Sequence, residues 1–205
     1  MKSLLFITLI WTSLSSYPID FEKLFQKQSQ QLLNLEIENP PLVLLFSGTP
    51  GMGKTTVTKE LEKTFQGIRI GIDDTRVFFK EEGLTYELLT PYLFWLLNKV
   101  HEISPNRLLI LDLICHPFHD ELISWCLHHE TPYFLTRLEV PREIVEARIV
   151  SRGNKPELTL SRLDRNWKEY EAFAETHTFD YILDNTEDNV SYAPLIQTLT
   201  PLIRP

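Results

Sequence analysis

Gly48-Thr49-Pro50-Gly51-Met52-Gly53-Lys54-Thr55 is the stretch on which the fold of this chain turns. It satisfies G-x-x-x-x-G-K-[ST], and it lies between the apolar run Leu42-Val43-Leu44-Leu45-Phe46 and a segment, Lys54 to Phe65, that reads as a helix. Its placement matters as much as its letters. Five apolar residues in a row, preceded by the stop signal Glu38-Asn39-Pro40-Pro41, suit a strand buried on both faces of a parallel sheet. The glycines let backbone N–H groups turn inward around a chain of phosphates, and the start of the following helix adds its partial positive charge. Lys54 would reach the terminal phosphates and the Thr55 hydroxyl would ligate Mg²⁺. The pattern therefore implies ATP and Mg²⁺, held by residues Gly48, Thr49, Pro50, Gly51, Met52, Gly53, Lys54, Thr55 and Thr56.

The same alternation of strand and helix recurs on either side. Ile68 to Ile72 reads as a strand, and Thr85 to Ile103 as a long helical region that Pro91 should kink or split. Leu108 to Asp112 is a second apolar strand, followed by a helix from Pro117 to His129 that its proline opens. Tyr133 to Val140 is the next strand and Pro141 to Val150 the next helix. A polar stretch at Ser151 to Pro156 precedes a helix from about Ser161 to Ala174, a short strand Tyr181 to Leu183 and a final helix from about Val190. Strands alternating with helices imply right-handed βαβ units, hence a three-layer α/β/α domain around a parallel five-stranded sheet. Upstream, Phe21, Leu24, Phe25, Leu32 and Leu33 fall near one helical face. The chain thus divides into an apolar segment at 1–16, an amphipathic helix at 17–39 and the main domain at 40–205, with a lid around 148–160.

Several side chains outside the glycine-rich loop fit the chemistry of phosphoryl transfer. Asp112 ends an apolar strand, the Walker B pattern of a carboxylate that holds Mg²⁺ directly or through water. Asp73-Asp74-Thr75-Arg76 follows the second strand, at the carboxyl edge where α/β sheets bind ligands. Asp73 could take or orient the proton of an attacking hydroxyl, with Asp74 on the acceptor and one of the acids capping the next helix. Arg148 and Arg152 stand at i and i+4 with Lys155 just beyond, so one helical face presents two guanidinium groups able to neutralise a transferring phosphoryl group. Gly153 and Pro156 give that segment the look of a mobile lid. The six histidines show no metal-ligand spacing, although His116 and His119 could line the pocket after Asp112.

In this order the motifs resemble the small P-loop kinases that include phage-type polynucleotide kinase, zeta toxins, gluconate kinase and chloramphenicol phosphotransferase. The likeness covers roughly Leu42 to Asn189 and is nearest to the polynucleotide-kinase-like branch: the P-loop, then Asp73 to Arg76, then Arg148-x-x-x-Arg152-Gly153-x-Lys155, then Phe179 to Asn185. It implies a sheet order of 2-3-1-4-5, a general-base role for Asp73, substrate binding by Arg76, lid arginines at Arg148 and Arg152, and adenine packing near the lid and the loop after Asp184. Leu113-Ile114-Cys115-His116-Pro117-Phe118 departs from any substrate signature of the group, so the acceptor stays open. The expectation is an ATP-dependent kinase acting on a hydroxyl of a small molecule. The alternatives are a nucleotide-dependent regulatory ATPase and a zeta-toxin-like kinase effector. A guanine-reading switch is disfavoured, because Asn98-Lys99-Val100-His101 and Asn154-Lys155-Pro156-Glu157 both lack the final aspartate of Asn-Lys-x-Asp.

Composition narrows the partners. The 205 residues are 43% hydrophobic with a formal net charge of -8 and a pI near 5.3, so no general basic field exists to hold a nucleic acid. Cys115 and Cys126, the chain's two cysteines, read as reduced core thiols. Lys2 followed by the apolar run Leu4 to Trp11 and then Thr12, Ser13, Ser15 and Ser16 resembles a short secretory signal, and falls far below the ~20 residues that span a bilayer. A kinase exported from ATP would lose its donor, so the reading is cytoplasmic, with secretion or membrane association through that segment as the alternative. Oligomeric state is not legible.

Overall fold

The computed structural model describes residues 21–32, 40–153, 156–187 and 189–204. The apolar segment at 1–16, the flanks of the first helix at 17–20 and 33–39, and Asn154 and Lys155 of the expected lid lie outside the described residues. The described strands are β1 (Leu42–Ser47), β2 (Ile68–Gly71), β3 (Leu108–Asp112), β4 (Tyr133–Glu139) and β5 (Tyr181–Asp184). They form one parallel sheet in the order β2-β3-β1-β4-β5, as the resemblance implies. The helices are α1 (Phe21–Leu32), α2 (Lys54–Phe65), α3 (Ile72–Glu81), α4 (Leu89–Ile103), α5 (His119–His128), α6 (Arg142–Ser151), α7 (Pro156–Thr176) and α8 (Ala193–Ile203), with single 3₁₀ turns at Tyr86–Leu88 and His116–Phe118.

The two-residue period of the strands divides the core into two layers. Val43 and Leu45 of β1, Leu109 and Leu111 of β3 and Ile70 of β2 face a layer containing Phe79, Leu96 and Trp125 from α3, α4 and α5. Leu42, Leu44 and Phe46 face the opposite layer, with Leu61, Val145, Leu163 and Leu199 from α2, α6, α7 and α8. Because β1 is central and covered on both sides, all six of its residues are buried, which is why it reads as an unbroken apolar run. The amphipathic face of α1 rests on α4. Phe21 meets Tyr92 and Trp95 edge-on at 5.3 and 5.8 Å, and Phe25 meets Trp95 at 5.9 Å, contacts typically worth ~0.5–1.5 kcal/mol each beyond area burial.

Four local expectations are corrected. Pro91 does not kink the long helix, because α4 starts at Leu89 and a proline in the first turn removes only an N–H that has no helical partner. Strand β2 ends at Gly71, and Ile72 already belongs to α3. No side chain caps α3: its N-cap is Gly71, and Asp73 and Asp74 occupy the first turn, where the helix dipole favours acids. Helix α7 starts at Pro156, with proline at the first helical position, and not at about Ser161, so α6 and α7 reach into both ends of the expected lid. Cys115 and Cys126 are buried and unpaired, and burial pushes both thiols up to about 12, as suits inert core groups. No described helix is long and apolar enough to cross a membrane.

Candidate active site

The carboxyl ends of β1, β2 and β3 meet at one edge of the sheet, and the P-loop fills the turn between β1 and α2. Gly51 and Gly53 have φ of +93° and +91°, a region that side chains strain to enter. Space excludes a side chain there as well: a Cβ on Gly53 would stand 2.3 Å from Asn185 Nδ2, and one on Gly51 2.9 Å from Val145 Cγ1. Asn185, just past β5, donates from Nδ2 to the Met52 carbonyl at 2.6 Å and so ties the far side of the sheet to the loop. Thr49 and Met52 are fully buried and turn inward, with the Thr49 amide 3.2 Å from Met52 Sδ.

Lys54 lies across its own loop, donating from Nζ to the Gly48 and Thr49 carbonyls at 2.9 Å each. Burial lowers its ammonium to about 8, against the opposing pull of the Asp112 carboxylate. The Thr55 hydroxyl donates to Asp112 Oδ1 at 3.2 Å, so the two groups expected to hold Mg²⁺ adjoin although they sit on different strand-to-helix junctions. An oxygen pair of this kind, one hydroxyl and one carboxylate, matches the hard ligands Mg²⁺ takes. The other Asp112 oxygen accepts from Arg69 Nη1 at 2.8 Å.

Arg69 is the residue that pattern reading missed. From the middle of β2 it also binds Asp74 Oδ2 at 2.6 Å and Glu62 Oε2 at 3.0 Å, gathering carboxylates from three elements. No motif points to it, because an arginine inside a short strand normally reads as solvated. Gly71 makes room for it, since a Cβ there would meet Asp74 Oδ2 at 2.3 Å and Arg69 Nη1 at 2.8 Å.

Asp73 and Arg76 pair across one turn of α3 at 2.7 Å and are both exposed. They line a cavity of about 140 Å³ together with P-loop residues, Ile72, Asp112 and Arg152. Asp74 and Arg148 are not among its lining residues. Asp74 is taken up by Arg69, whereas Arg148 donates to the backbone carbonyls of Asn185, Thr186 and Glu187 at 2.8, 3.0 and 3.2 Å. The i, i+4 arginines thus divide: Arg152 faces the cavity and Arg148 braces the loop after β5. Thr56 does not line the cavity either, and its amide bonds the Gly53 carbonyl at 3.0 Å. His116 borders a separate opening against α7, with Nδ1 buried and unpartnered, and burial and the Lys54 charge push its imidazole down to about 4.

Comparison with solved structures agrees with this architecture. A candidate kinase from Chloroflexus aurantiacus matches with a TM-score of 0.56 at 16% identity, over 79% of this chain and 97% of that one. The PezAT toxin–antitoxin system of Streptococcus pneumoniae matches with a TM-score of 0.55 at 16% identity, over 87% and 86% of the respective chains. The Mycobacterium tuberculosis APS kinase, solved with AMPPNP and APS, matches with a TM-score of 0.50 at 18% identity over 80% and 98%. Likeness at these identities speaks to the fold, which is that of the P-loop kinases. No protein-family model matches the chain, and no curated protein sequence does.

Proposed function

We propose that this chain is an ATP-dependent phosphotransferase that moves the γ-phosphoryl group to a hydroxyl of a small-molecule acceptor. The observation that carries the reading is one shared cavity, in which the P-loop, Lys54 and the Thr55–Asp112 oxygen pair adjoin the carboxylate of Asp73 and the guanidinium groups of Arg76 and Arg152. P-loop amides and the α2 N-terminus would hold the phosphates, with Lys54 swinging from its carbonyl partners onto the β- and γ-oxygens. Thr55 and Asp112 are the residues that would hold Mg²⁺, which would supply positive charge to offset that of the phosphates. Asp73 receives or orients the hydroxyl proton as the acceptor oxygen bonds to phosphorus and the bond to the departing diphosphate breaks. Arg76 orients the acceptor, and Arg152 neutralises charge on the moving phosphoryl group. Arg148 contributes by shaping the loop beyond β5, near where an adenine would pack, and Asp74 by fixing Arg69. The formal charge of -8 favours a small acceptor over a nucleic acid.

The test is incubation of the purified chain with a metabolite pool and labelled ATP, followed by mass analysis for a newly phosphorylated species. Lys54→Ala should abolish turnover with the circular dichroism spectrum unchanged. Asp73→Asn should bind ATP nearly as wild type yet lose at least about 10²-fold in transfer, the usual worth of a positioned acid–base group. An Asp73→Asn variant that transfers at the wild-type rate removes Asp73 from the mechanism. Phosphate release without any phosphorylated product would instead favour a regulatory ATPase.

A further inference from the structure

Beyond the phosphate-binding edge, the first residues of α5 meet the end of α7. The rings of His119 and His177 lie 4.5 Å apart at 74°. His119 Nδ1 stands 3.1 Å from Asp120 Oδ1, and one donor atom from each of His119, Asp120 and His177 lies within 4.8 Å of the other two. His177 is also oriented from behind. Its Nδ1 is 3.0 Å from the Phe173 carbonyl, an acceptor to which only a ring N–H can donate. Nδ1 also stands 2.9 Å from Thr176 Oγ1, and in the tautomer that donates Nδ1–H to the carbonyl the Nε2 lone pair is left for a ligand role, the arrangement in which a carbonyl orients a metal-binding imidazole. Phe173 stacks on the same ring at 3.9 Å and 21°, which holds its plane.

We propose that His119, Asp120 and His177 form a binding site for a transition-metal dication of the Zn²⁺ class, joining the start of α5 to the end of α7. Two imidazole nitrogens and one carboxylate oxygen are a borderline donor set, suited to Zn²⁺ ahead of Mg²⁺ or Ca²⁺. Bonds of about 2.0–2.1 Å to a tetrahedral ion place ligand atoms roughly 3.4 Å apart, so the group must tighten by about an ångström. The Asp120 side chain, 91% exposed, has room to move toward the two rings. An opening of about 600 Å³, bordered by His116, Glu169, Thr176 and His177, adjoins the site and leaves a fourth position to water or a small ligand. Aromatic packing alone accounts for the stacked rings but not for an exposed carboxylate set against His119 Nδ1. This site shares no lining residue with the P-loop cavity and stands independently of the phosphotransferase reading.

The test is titration of the full chain with Zn²⁺ against a chromophoric chelator, in millimolar Mg²⁺ to saturate oxygen-only sites, with Co²⁺ substitution reporting coordination through its visible absorption. One equivalent should bind, with at least tenfold weaker affinity in both Asp120→Asn and His177→Gln and unchanged affinity in Asp112→Asn. Asp120→Asn keeps the test meaningful should His177→Gln unfold, since the exposed Asp120 side chain can change without disturbing the core. Absence of a saturable single equivalent, wild-type affinity in Asp120→Asn, or loss of binding in Asp112→Asn would overturn the site.

Discussion

Lys54 carries the main electrostatic tension of the candidate site. Its ammonium is buried beneath the loop it serves, and burial brings it from 10.5 to about 8. The folded chain therefore binds fewer protons than the unfolded chain between pH 8 and 10.5. The charged lysine costs stability below pH 8, and the cost is relieved as pH rises through that window. A polyphosphate reverses the balance by favouring the charged form. Binding of Mg-ATP should thus draw almost no proton into Lys54 at about pH 7 and approach one proton at about pH 9, as measured by calorimetry in buffers of different ionisation enthalpy. Proton uptake that stays flat across this range would mean that the lysine is charged throughout. Arg69 shows the opposite logic. It drew no attention in the sequence because its partners Glu62, Asp74 and Asp112 converge only when α2, α3 and β3 have packed around β2.

At the scale of elements, the loop is held from outside as much as by its own glycines. Asn185 beyond β5 bonds the Met52 carbonyl, and Arg148 of α6 gathers the carbonyls from Asn185 onward, so two further segments brace one turn. Gly53→Ala tests that arrangement. Its positive φ alone should cost about 1–3 kcal/mol, and the 2.3 Å approach to Asn185 adds a clash. Gly83 has φ of +68° with nothing within 4 Å of where a Cβ would stand, so Gly83→Ala carries the strain without the clash. Urea unfolding should show Gly53→Ala to be the more destabilised of the two. Equal losses would mean that the contact with Asn185 gives way freely. The motif marked Gly53 as a glycine, but the neighbour that forbids a side chain there lies past the end of β5 and left no trace in local pattern.

The whole molecule carries a second pH dependence, on the acid side. His116 is pushed down to about 4 by burial and by Lys54, and the unfolded imidazole titrates near 6.5. The unfolded chain binds the extra proton between these values, so the contribution of neutral His116 is present above pH 6.5 and lost as pH falls toward 4. His129, lowered to about 4 by burial and by His101 and His128, acts in the same direction. Urea unfolding at about pH 7 and about pH 5 should show His116→Gln losing less stability than wild type over that interval, by about 1–2 kcal/mol after allowance for partial exposure. Parallel losses would place the acid sensitivity in other groups.

The order of elements, the parallel sheet and the position of the P-loop were legible in the chain alone, because each rests on local physics: unbroken apolar runs mark buried strands, and glycines beside a lysine and a threonine mark a turn that accepts phosphate. Asp112 was legible for the same reason, as an acid closing an apolar run. Which of Arg148 and Arg152 faces the cavity was decided only by tertiary structure, since an i, i+4 pair shares a helical face whatever lies opposite it. The same holds for Arg69 and for the meeting of His119 with His177. Their partners sit on other elements, and only packing of those elements brings the side chains into contact.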